Sequence, residues 1–417
     1  MRRVGPPTKL FQILGDVDRE GPTPQPTFLR TQSTVGILGA DLGFSFLHQG
    51  RLYFYFGDTD TPDFDLARPR DADSIAYAEV PAPGAPLELQ FLVDADGRWH
   101  AVTLDGVPQG SNEVPVSGFS DGQNLWAFYY VHPTERGGGG GYVRLARSTD
   151  GAFSFETVLR LPPEMQFVMP RVVATSSVQG LGASWPDAQT LLAWSRSGVQ
   201  PPVVAAAPLG RVADASAWRY RVSDGSWAPE MPTSPAFVYP PPTDYNCRGP
   251  FSVFPVDAMG RWLMLERCAG VPGVSDDTLQ MRVATDALGP WVGPIVLFDP
   301  TTDGAIGTFM HQACDPNAAA GPAACIDTDY TPKTCCAATN GEFGYVLDDG
   351  GNSAPAGDAG TVVGMGPEQS SWPYAPFPIE PLTQWDPSSS TTTVTFLMST
   401  LNPYTVMMMQ VALARDP

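Results

Sequence analysis

Two aspartates, Asp41 and Asp58, frame the segment of this sequence with the clearest chemical potential. The residues between them form two aromatic-rich runs, the pattern of antiparallel strands joined by a tight turn. Counting outward from a two-residue turn at 49–50 predicts that Asp41 lies directly opposite Asp58. Close like charges keep a proton on one carboxyl group while the other stays ionised. Such a pair suits acid/base or nucleophilic work at a glycosidic bond.

The same hairpin register makes further predictions. Its expected rungs are Phe44 with Tyr55, Phe46 with Tyr53, Gly43 with Phe56, and His48 with Arg51. Aromatic pairs stabilise a ladder, whereas opposed carboxylates repel and would be avoided in a purely structural sheet. A single aspartate after Gly39-Ala40 would more often cap a turn. Two aspartates on one rung of the ladder favour a functional role over a structural one.

The composition predicts an all-β protein. Gly 42 and Pro 44 among 417 residues, with 11% aromatic and 16% charged residues, are typical of many short strands broken by turns. Loose units of strands recur five times, which predicts a five-bladed β-propeller in a single domain with long disulfide-stapled loops. The units lie at about 35–80, 125–155, 190–221, 251–291 and 343–413. We expect residues 1–30 to be an N-terminal extension, 31–417 the propeller, and 299–390 a long loop insertion within its last blades.

One turn has a recognisable form. The segment from Ser148 to Phe155, Ser-Thr-Asp-Gly-Ala-Phe-Ser-Phe, resembles the Asp-box turn of sialidase-like propellers. In that turn an aspartate caps a hairpin and an aromatic residue fills the space between blades. Ala152 stands where a glycine is usual. The resemblance implies a structural role for Asp150 and removes it from the catalytic candidates.

The six cysteines indicate disulfides and an oxidising compartment. Cys247 and Cys268 flank a predicted hairpin and could bridge; the other four lie within residues 314–336, and their pairing stays open. Reduced buried thiols are the alternative, and no spacing resembles a zinc site. Met1-Arg2-Arg3 is not followed by an apolar region. We therefore expect a secreted protein whose signal peptide is absent from this sequence.

The net charge of −20 argues against a nucleic-acid partner, because phosphate binding needs clustered Lys and Arg. No run of 18 apolar residues predicts a membrane span. The P-loop, the dinucleotide fingerprint, the Gly-x-Ser-x-Gly elbow and the His-Glu-x-x-His motif are all absent from the sequence. We expect a monomer that binds a neutral polysaccharide.

Five further residues are candidates for substrate binding: Asp73, Glu113, His311, Asn402 and Tyr404. Asp73 begins a strand and would orient a catalytic carboxylate or cap a turn. Glu113 opens the second unit much as Asp41 opens the first. His311 lies where the long loops begin, and a lone histidine is more often structural than a ligand. Asn402-Pro403-Tyr404 would offer an amide and an aromatic platform for a sugar, or form a plain turn.

The acidic run from Asp58 to Asp65 is ambiguous. Asp60, Asp63 and Asp65 could hold Ca²⁺, yet the run lacks the glycine and distal glutamate of an EF-hand loop. A solvated acidic loop is the simpler interpretation. We predict no metal site and no cofactor, with Ca²⁺ in this run as the alternative.

Several motifs, taken in order, resemble the endo-D-arabinanases, glycoside hydrolase family 183, first catalogued as the DUF4185 domain. They are Gly39-Ala-Asp-Leu-Gly43, Leu52-Tyr-Phe-Tyr-Phe-Gly-Asp-Thr59, Asp73-Ser-Ile-Ala76, Glu113-Val-Pro115, Gly260-Arg-Trp-Leu-Met264, Leu288-Gly-Pro-Trp291 and Asn402-Pro-Tyr404. That family cuts the D-arabinofuranose polymers of mycobacterial arabinogalactan and lipoarabinomannan. The resemblance implies a five-bladed fold with Asp41 and Asp58 as the catalytic pair.

These observations favour an endo-acting glycoside hydrolase that cleaves D-arabinan. We assign the acid role to Asp58, because the adjacent apolar strand and the Asp41 charge favour its protonated form, and the base or nucleophile role to Asp41. Two alternatives stay open. One is a non-catalytic carbohydrate-binding propeller, and the other is a glycosidase for L-arabinan or a fructan.

Overall fold

The computed structural model describes most of the chain. The described residues are 1–18, 20, 25–61, 68–69, 72–82, 85–108, 113–131, 141–182, 185–275, 277–310, 346–347, 353–354, 371–401 and 403–415. Their strands form five sheets around a common axis, a five-bladed β-propeller, which confirms the predicted all-β class. Long runs such as Leu191–Arg196 are buried throughout, because neighbouring blades cover both faces of a sheet.

The elements follow chain order. Before the first blade come β1 (Arg2–Gln12), β2 (Val17–Asp18), β3 (Gln25–Pro26) and the short helix α1 (Thr31–Val35). The first blade contains β4 (Gly39–His48), β5 (Arg51–Asp60), β6 (Ala72–Glu79) and β7 (Gln90–Phe91). The second contains β8 (Thr103–Leu104), β9 (Glu113–Ser120), β10 (Leu125–Val131), β11 (Tyr142–Ser148) and β12 (Ser154–Arg160).

The third blade contains β13 (Phe167–Ala174), β14 (Gln189–Arg196), β15 (Val203–Pro208), β16 (Arg219–Arg221) and β17 (Trp227–Ala228). The fourth contains β18 (Asn246–Val256), β19 (Arg261–Ala269), β20 (Thr278–Ala284) and β21 (Val292–Phe298). A two-residue pair, β22 (Val346–Leu347) and β23 (Ser353–Ala354), follows. The fifth blade contains β24 (Pro373–Pro378), β25 (Gln384–Asp386), β26 (Thr391–Leu401) and β27 (Tyr404–Ala414). Short 3₁₀ helices lie at Thr175–Ser177, Leu209–Arg211, Ala215–Ala217, Asp257–Met259 and Glu380–Leu382.

The innermost strands β4, β9, β13, β18 and β24 pack side by side around the axis. They belong to different sheets, so their inward edges share no ladder, and side chains satisfy some of their carbonyl groups instead. The bonds run from Ser45 Oγ to Pro378 O (3.3 Å), from Ser252 Oγ to Pro376 O (2.7 Å), from Arg171 Nε to Val253 O (2.7 Å), and from Ser117 Oγ to Val168 O. These bonds tie four neighbouring pairs of blades together at the centre.

The two ends of the chain meet in the fifth blade. β1 pairs antiparallel with β27, so residues 2–12 form the outer strand of that blade. Residues 1–30 were predicted to form an N-terminal extension outside the propeller. The structure instead places residues 2–12 in the fifth blade, where pairing with the last strand of the chain closes the ring.

The inner strand of the fifth blade differs from the prediction. A strand was expected from Phe343 to Leu347, whereas β24 at Pro373–Pro378 fills the position and β22 pairs only with β23. Three prolines hid β24 from sequence analysis, because proline disfavours a central strand. An innermost strand has one ladder partner, β26, so proline at its other edge costs no ladder bond.

The predicted Cys247–Cys268 disulfide is confirmed, and the two residues lie opposite each other across β18 and β19. Among the described residues it links one hairpin only, so the expectation of long stapled loops was an overstatement. The other four cysteines lie outside the described residues. No helix of the described chain is long and apolar enough to cross a membrane.

The Asp-box turn has the predicted structural role. Asp150 accepts hydrogen bonds from Ser148 Oγ (2.7 Å) and from the backbone N–H (3.1 Å) and Oγ (2.6 Å) of Ser154. Phe155 is buried against Tyr55 of the first blade. Ala152 has φ 77°, the left-handed conformation for which the usual glycine is suited.

Candidate active site

The hairpin carrying the two candidate aspartates departs from its predicted register near its open end. The pairs Phe44–Tyr55, Phe46–Tyr53 and His48–Arg51 are observed, but a bulge at Gly43 shifts the ladder by one residue. Asp41 therefore lies opposite Gly57 and Leu42 opposite Phe56. The predictions that Asp41 faces Asp58 and that Gly43 faces Phe56 were wrong.

Positive backbone angles and a distant hydroxyl support this bulge. Leu42 and Gly43 have φ 63° and 83°, and the Leu42 N–H donates to Ser399 Oγ at 2.9 Å. At Gly43 a Cβ would lie 2.9 Å from a methyl carbon of Leu397, so the position has no room for a side chain. Contacts with the fifth blade therefore determine the register of the first.

Asp58 occupies a second irregularity, in the pairing of β5 with β6. That ladder breaks between Phe56 and Thr59, and Asp58 has φ 42°, which is rare and strained for a residue with a side chain. The Tyr404 hydroxyl donates to the Asp58 carbonyl oxygen at 3.2 Å. Tyr404, predicted as a sugar platform, thus contacts the backbone of a candidate catalytic residue.

Four acidic side chains come together at one end of the propeller. In an up-and-down blade, the start of β4, the end of β5 and the start of β6 share one end, and β9 starts there too. This places Asp41, Asp58, Asp73 and Glu113 together. Asp41, Asp73 and Glu113 are 9%, 1% and 3% exposed, and Asp58 is half-buried.

Gly57 provides the space that the Asp41 carboxyl group occupies. A Cβ at Gly57 would lie 2.8 Å from Asp41 Oδ1 and 3.0 Å from Val114 of the second blade. Any side chain at this position would displace the carboxyl group or the neighbouring blade. Gly57, which was predicted only as the neighbour of the catalytic candidate Asp58, is therefore part of the site as well.

Tyr374, at the start of β24, joins the cluster from the fifth blade. Its hydroxyl donates to Asp41 Oδ2 at 3.1 Å. Burial, then the Asp41 charge, raise the pKa of Tyr374 well above its usual value, so the phenol keeps its proton and acts as the donor. Tyr374 was not among the predicted site residues, because it lies within the long segment at 299–390 that showed few strand signals.

Asp73 is the most deeply buried carboxyl group of the cluster. Neither of its oxygens has a hydrogen-bond partner of good geometry. Burial, and then the charges of Glu113, Asp58 and Asp41, raise its pKa well above the usual value; a smaller opposing effect comes from the Asp58 backbone amide. Burial and these charges therefore favour the protonated form of Asp73.

Two aspartates on different rungs still share an electrostatic environment. Asp41 and Asp58 both act on the pKa of Asp73, and both raise the pKa of Tyr374. Tyr129, buried without a partner for its hydroxyl, has a pKa raised by burial and then by Asp73. The arrangement places Asp73, whose protonated form is favoured, beside three other acidic groups in a partly desolvated site.

Metal binding finds limited geometric support. Within the described residues, one group of three has metal-like spacing: Cys247, Glu266 and Cys268. The two sulfurs are bonded to each other, and Arg196 and Arg282 both pair with Glu266.

Some of the other predicted residues lie outside the described part of the chain, and one lies within it. His311 and Asn402 lie outside the described residues, as do Asp63 and Asp65 of the acidic run. Asp60 ends β5, where its carboxyl group accepts a hydrogen bond from the Thr61 N–H at 3.0 Å.

A comparison with models of protein families matches residues 28–410 to the family described as "Domain of unknown function (DUF4185)". The chain belongs to the DUF4185 family. The match covers all five inner strands and every residue of the acidic cluster. No match was found among curated proteins.

Solved structures resemble this DUF4185 protein only distantly. A Bacteroides ovatus protein with a provisional hydrolase assignment has 13% identity and a TM-score of 0.49, with 91% of this chain and 87% of that chain covered. An endo-1,5-α-L-arabinanase from Thermotoga petrophila has 7% identity and a TM-score of 0.40, with 96% of this chain and 72% of that chain covered. An N-acetylgalactosamine deacetylase from F. plautii has 11% identity and a TM-score of 0.42, with 99% of this chain and 95% of that chain covered. At these values the likenesses carry no argument about activity.

Replacing Asp73 with asparagine should change how stability depends on pH. Folding raises the pKa of Asp73 above 3.8, so the stability that its proton contributes is fully present below that pH and falls as pH rises toward the folded pKa. In Asp73→Asn this loss is absent. Relative to wild type, the variant should gain up to about 1.4 kcal/mol of unfolding free energy per pH unit across that window.

Urea unfolding of both proteins between about pH 4 and pH 7 measures this difference. The exposed Asp257→Asn change is the control, and its difference from wild type should stay constant with pH. A constant difference for Asp73→Asn as well would show that Asp73 is ionised in the folded protein.

Proposed function

We propose that this protein is an endo-acting glycoside hydrolase that cleaves D-arabinofuranosyl linkages in arabinan, with Asp41 and Asp58 as the catalytic pair. The observation that carries the proposal is the convergence of four acidic side chains at one end of the first two blades, where burial and the other three charges raise the pKa of Asp73. Glycosidases need a proton donor and an ionised carboxylate on opposite sides of the scissile bond. In a purely structural cluster this repulsion would only be unfavourable, so the arrangement favours a functional role.

Asp41 suits the role of base or nucleophile. Its Oδ2 accepts the Tyr374 hydroxyl, and a hydrogen bond to the charged form of a carboxyl group stabilises that form. The bond also fixes the orientation of the carboxylate, while Gly57 leaves room for Oδ1. Asp41 would then attack the anomeric carbon or remove a proton from the attacking water.

Asp58 suits the role of acid. It is half-buried, so a substrate can reach it, and its strained backbone directs it away from the regular ladder. The negative charges around it favour its protonated form. Asp58 would protonate the glycosidic oxygen as the bond from that oxygen to the anomeric carbon breaks. Asp73 and Glu113 would tune this proton transfer from the neighbouring strands.

The D-arabinan assignment rests on the ordered motifs shared with the endo-D-arabinanases and on charge. A net charge of −20 favours a neutral polymer over an anionic one. The mycobacterial polymers arabinogalactan and lipoarabinomannan are the proposed sources. The Cys247–Cys268 disulfide supports action outside the cytoplasm by a secreted protein, which we propose to be a monomer that needs no cofactor.

Asp41→Asn and Asp58→Asn should each abolish cleavage while leaving polymer binding largely intact. The amide keeps the shape of the side chain but supplies neither a nucleophile nor an acid, so the rate should fall by at least about a hundredfold. Oligosaccharide release from mycobacterial arabinogalactan and from plant arabinan, followed in parallel, measures the effect and identifies the sugar. Asp257→Asn is the control.

Three results would redirect the proposal. Release from plant arabinan alone would move the substrate to L-arabinan. Full activity in either variant would remove that residue from catalysis. Loss of binding in both variants, with no hydrolysis by wild type on any furanose polymer, would favour a non-catalytic carbohydrate-binding propeller.

Tyr374→Phe should lower kcat by about tenfold or more, because a hydrogen bond to a charged group contributes about 1.5–3 kcal/mol. The acid limb of the pH–rate profile should also move to higher pH, since the Asp41 carboxylate loses the donor that stabilises its charge. Steady-state rates across pH measure both effects. Tyr220→Phe, in the third blade, is the control; an unshifted acid limb in Tyr374→Phe would assign Tyr374 a packing role only.

A further inference from the structure

A second cavity lies between the first and second blades, on the face opposite the acidic cluster. It is formed where β4 ends and β5 begins, and where β6, β9 and β11 end, and its volume is about 560 Å³. That volume is within the range of about 300–1,000 Å³ typical of small-molecule sites. Its lining includes His48, Arg51, Tyr53, Glu79, Gln123 and Thr149.

His48 is the buried polar group of this cavity. It is 8% exposed, and its Nδ1 is bonded to Ser120 Oγ at 2.7 Å, which fixes the ring. Burial, the larger effect, lowers the pKa of His48, so the imidazole is neutral at neutral pH. The ring packs edge-on against Tyr53, with the centroids 5.7 Å apart. Within the described chain, the remaining ring nitrogen has no hydrogen-bond partner and is available to a ligand.

The cavity carries no net charge although the protein is strongly acidic. Arg51 pairs with Glu79 at 2.8 Å, so these charges cancel, and His48 is neutral. Arg51 also lies over the ring of Tyr77, which packs against Tyr53. A neutral wall of planar groups that combine flat faces with hydrogen-bonding edges matches a sugar, which has apolar ring faces and peripheral hydroxyl groups.

We propose that this cavity is a second, non-catalytic saccharide site that binds a stretch of the same neutral furanose polymer. The inference rests on the proposed function for the identity of the sugar. Tyr53 supplies a flat contact surface and a hydroxyl group. That hydroxyl, together with His48, Gln123 and the Arg51–Glu79 pair, supplies hydrogen bonds to the hydroxyl groups of the sugar. A site on the far face holds the polymer to the enzyme without occupying the catalytic end, which raises the local substrate concentration.

Calorimetric titration of the inactive Asp41→Asn protein with a D-arabinofuranose oligosaccharide tests the proposal. Two binding events per chain are expected. Adding Tyr53→Phe and Gln123→Ala removes hydrogen-bonding groups with little change in packing, and should weaken one event at least about tenfold while the other is unchanged. The matched controls are Tyr77→Phe, which alters the neighbouring ring, and Gln200→Ala, an exposed glutamine of the third blade.

Imidazole resonances of selectively labelled histidine provide an independent readout. The chain has four histidines. The imidazole signal of His48 alone should move over the oligosaccharide concentrations at which the proposed second site fills. A single binding event that the Tyr53→Phe and Gln123→Ala changes do not affect, with an unmoved His48 signal, would overturn the second site and leave the proposed hydrolysis standing. Binding that depends on Tyr53 in a protein whose wild type cleaves no furanose polymer would support this site and overturn the hydrolase.

Discussion

Mutual repulsion among acidic side chains is the constraint that the centre of this protein must satisfy. Asp41, Asp58 and Glu113 all raise the pKa of Asp73 at one end of the propeller, and three of the four side chains are nearly buried. A flexible loop would relieve this repulsion by moving apart. Here the carboxyl groups sit on three adjacent strands of one sheet and on the innermost strand of the next, so the repulsion favours the protonated form of Asp73.

Closure of the ring gives those strands their rigidity. Hydroxyl and guanidinium groups bridge four pairs of inner strands, and the first strand of the chain pairs with the last. The fifth blade also contributes to the site itself. Ser399 holds the bulge beneath Asp41, Tyr374 donates to its carboxylate, and Tyr404 donates to the Asp58 carbonyl group. Contacts with the fifth blade therefore hold the β4–β5 hairpin of the first blade in place.

The sequence predicted those features that depend on local pattern. Alternating aromatic residues and the turn at 49–50 gave the correct outer rungs of the hairpin, and recurring strand units gave the number of blades. The Asp-box motif gave the role of Asp150. The predicted rung of Asp41 with Asp58 failed because a bulge at Gly43 depends on Ser399, which is distant in the chain and close only after the ring has closed. Tyr374 was missed for the same reason.

The raised pKa of Asp73 is the property on which the proposed chemistry of the site depends, and it predicts a proton on Asp73 at neutral pH. Infrared spectroscopy detects a protonated carboxyl group directly, and the comparison of wild type with Asp73→Asn assigns the signal to this residue. The account predicts a protonated-carboxyl band at neutral pH in wild type that is lost in Asp73→Asn and kept in Asp257→Asn. Identical spectra for wild type and Asp73→Asn at neutral pH would contradict it.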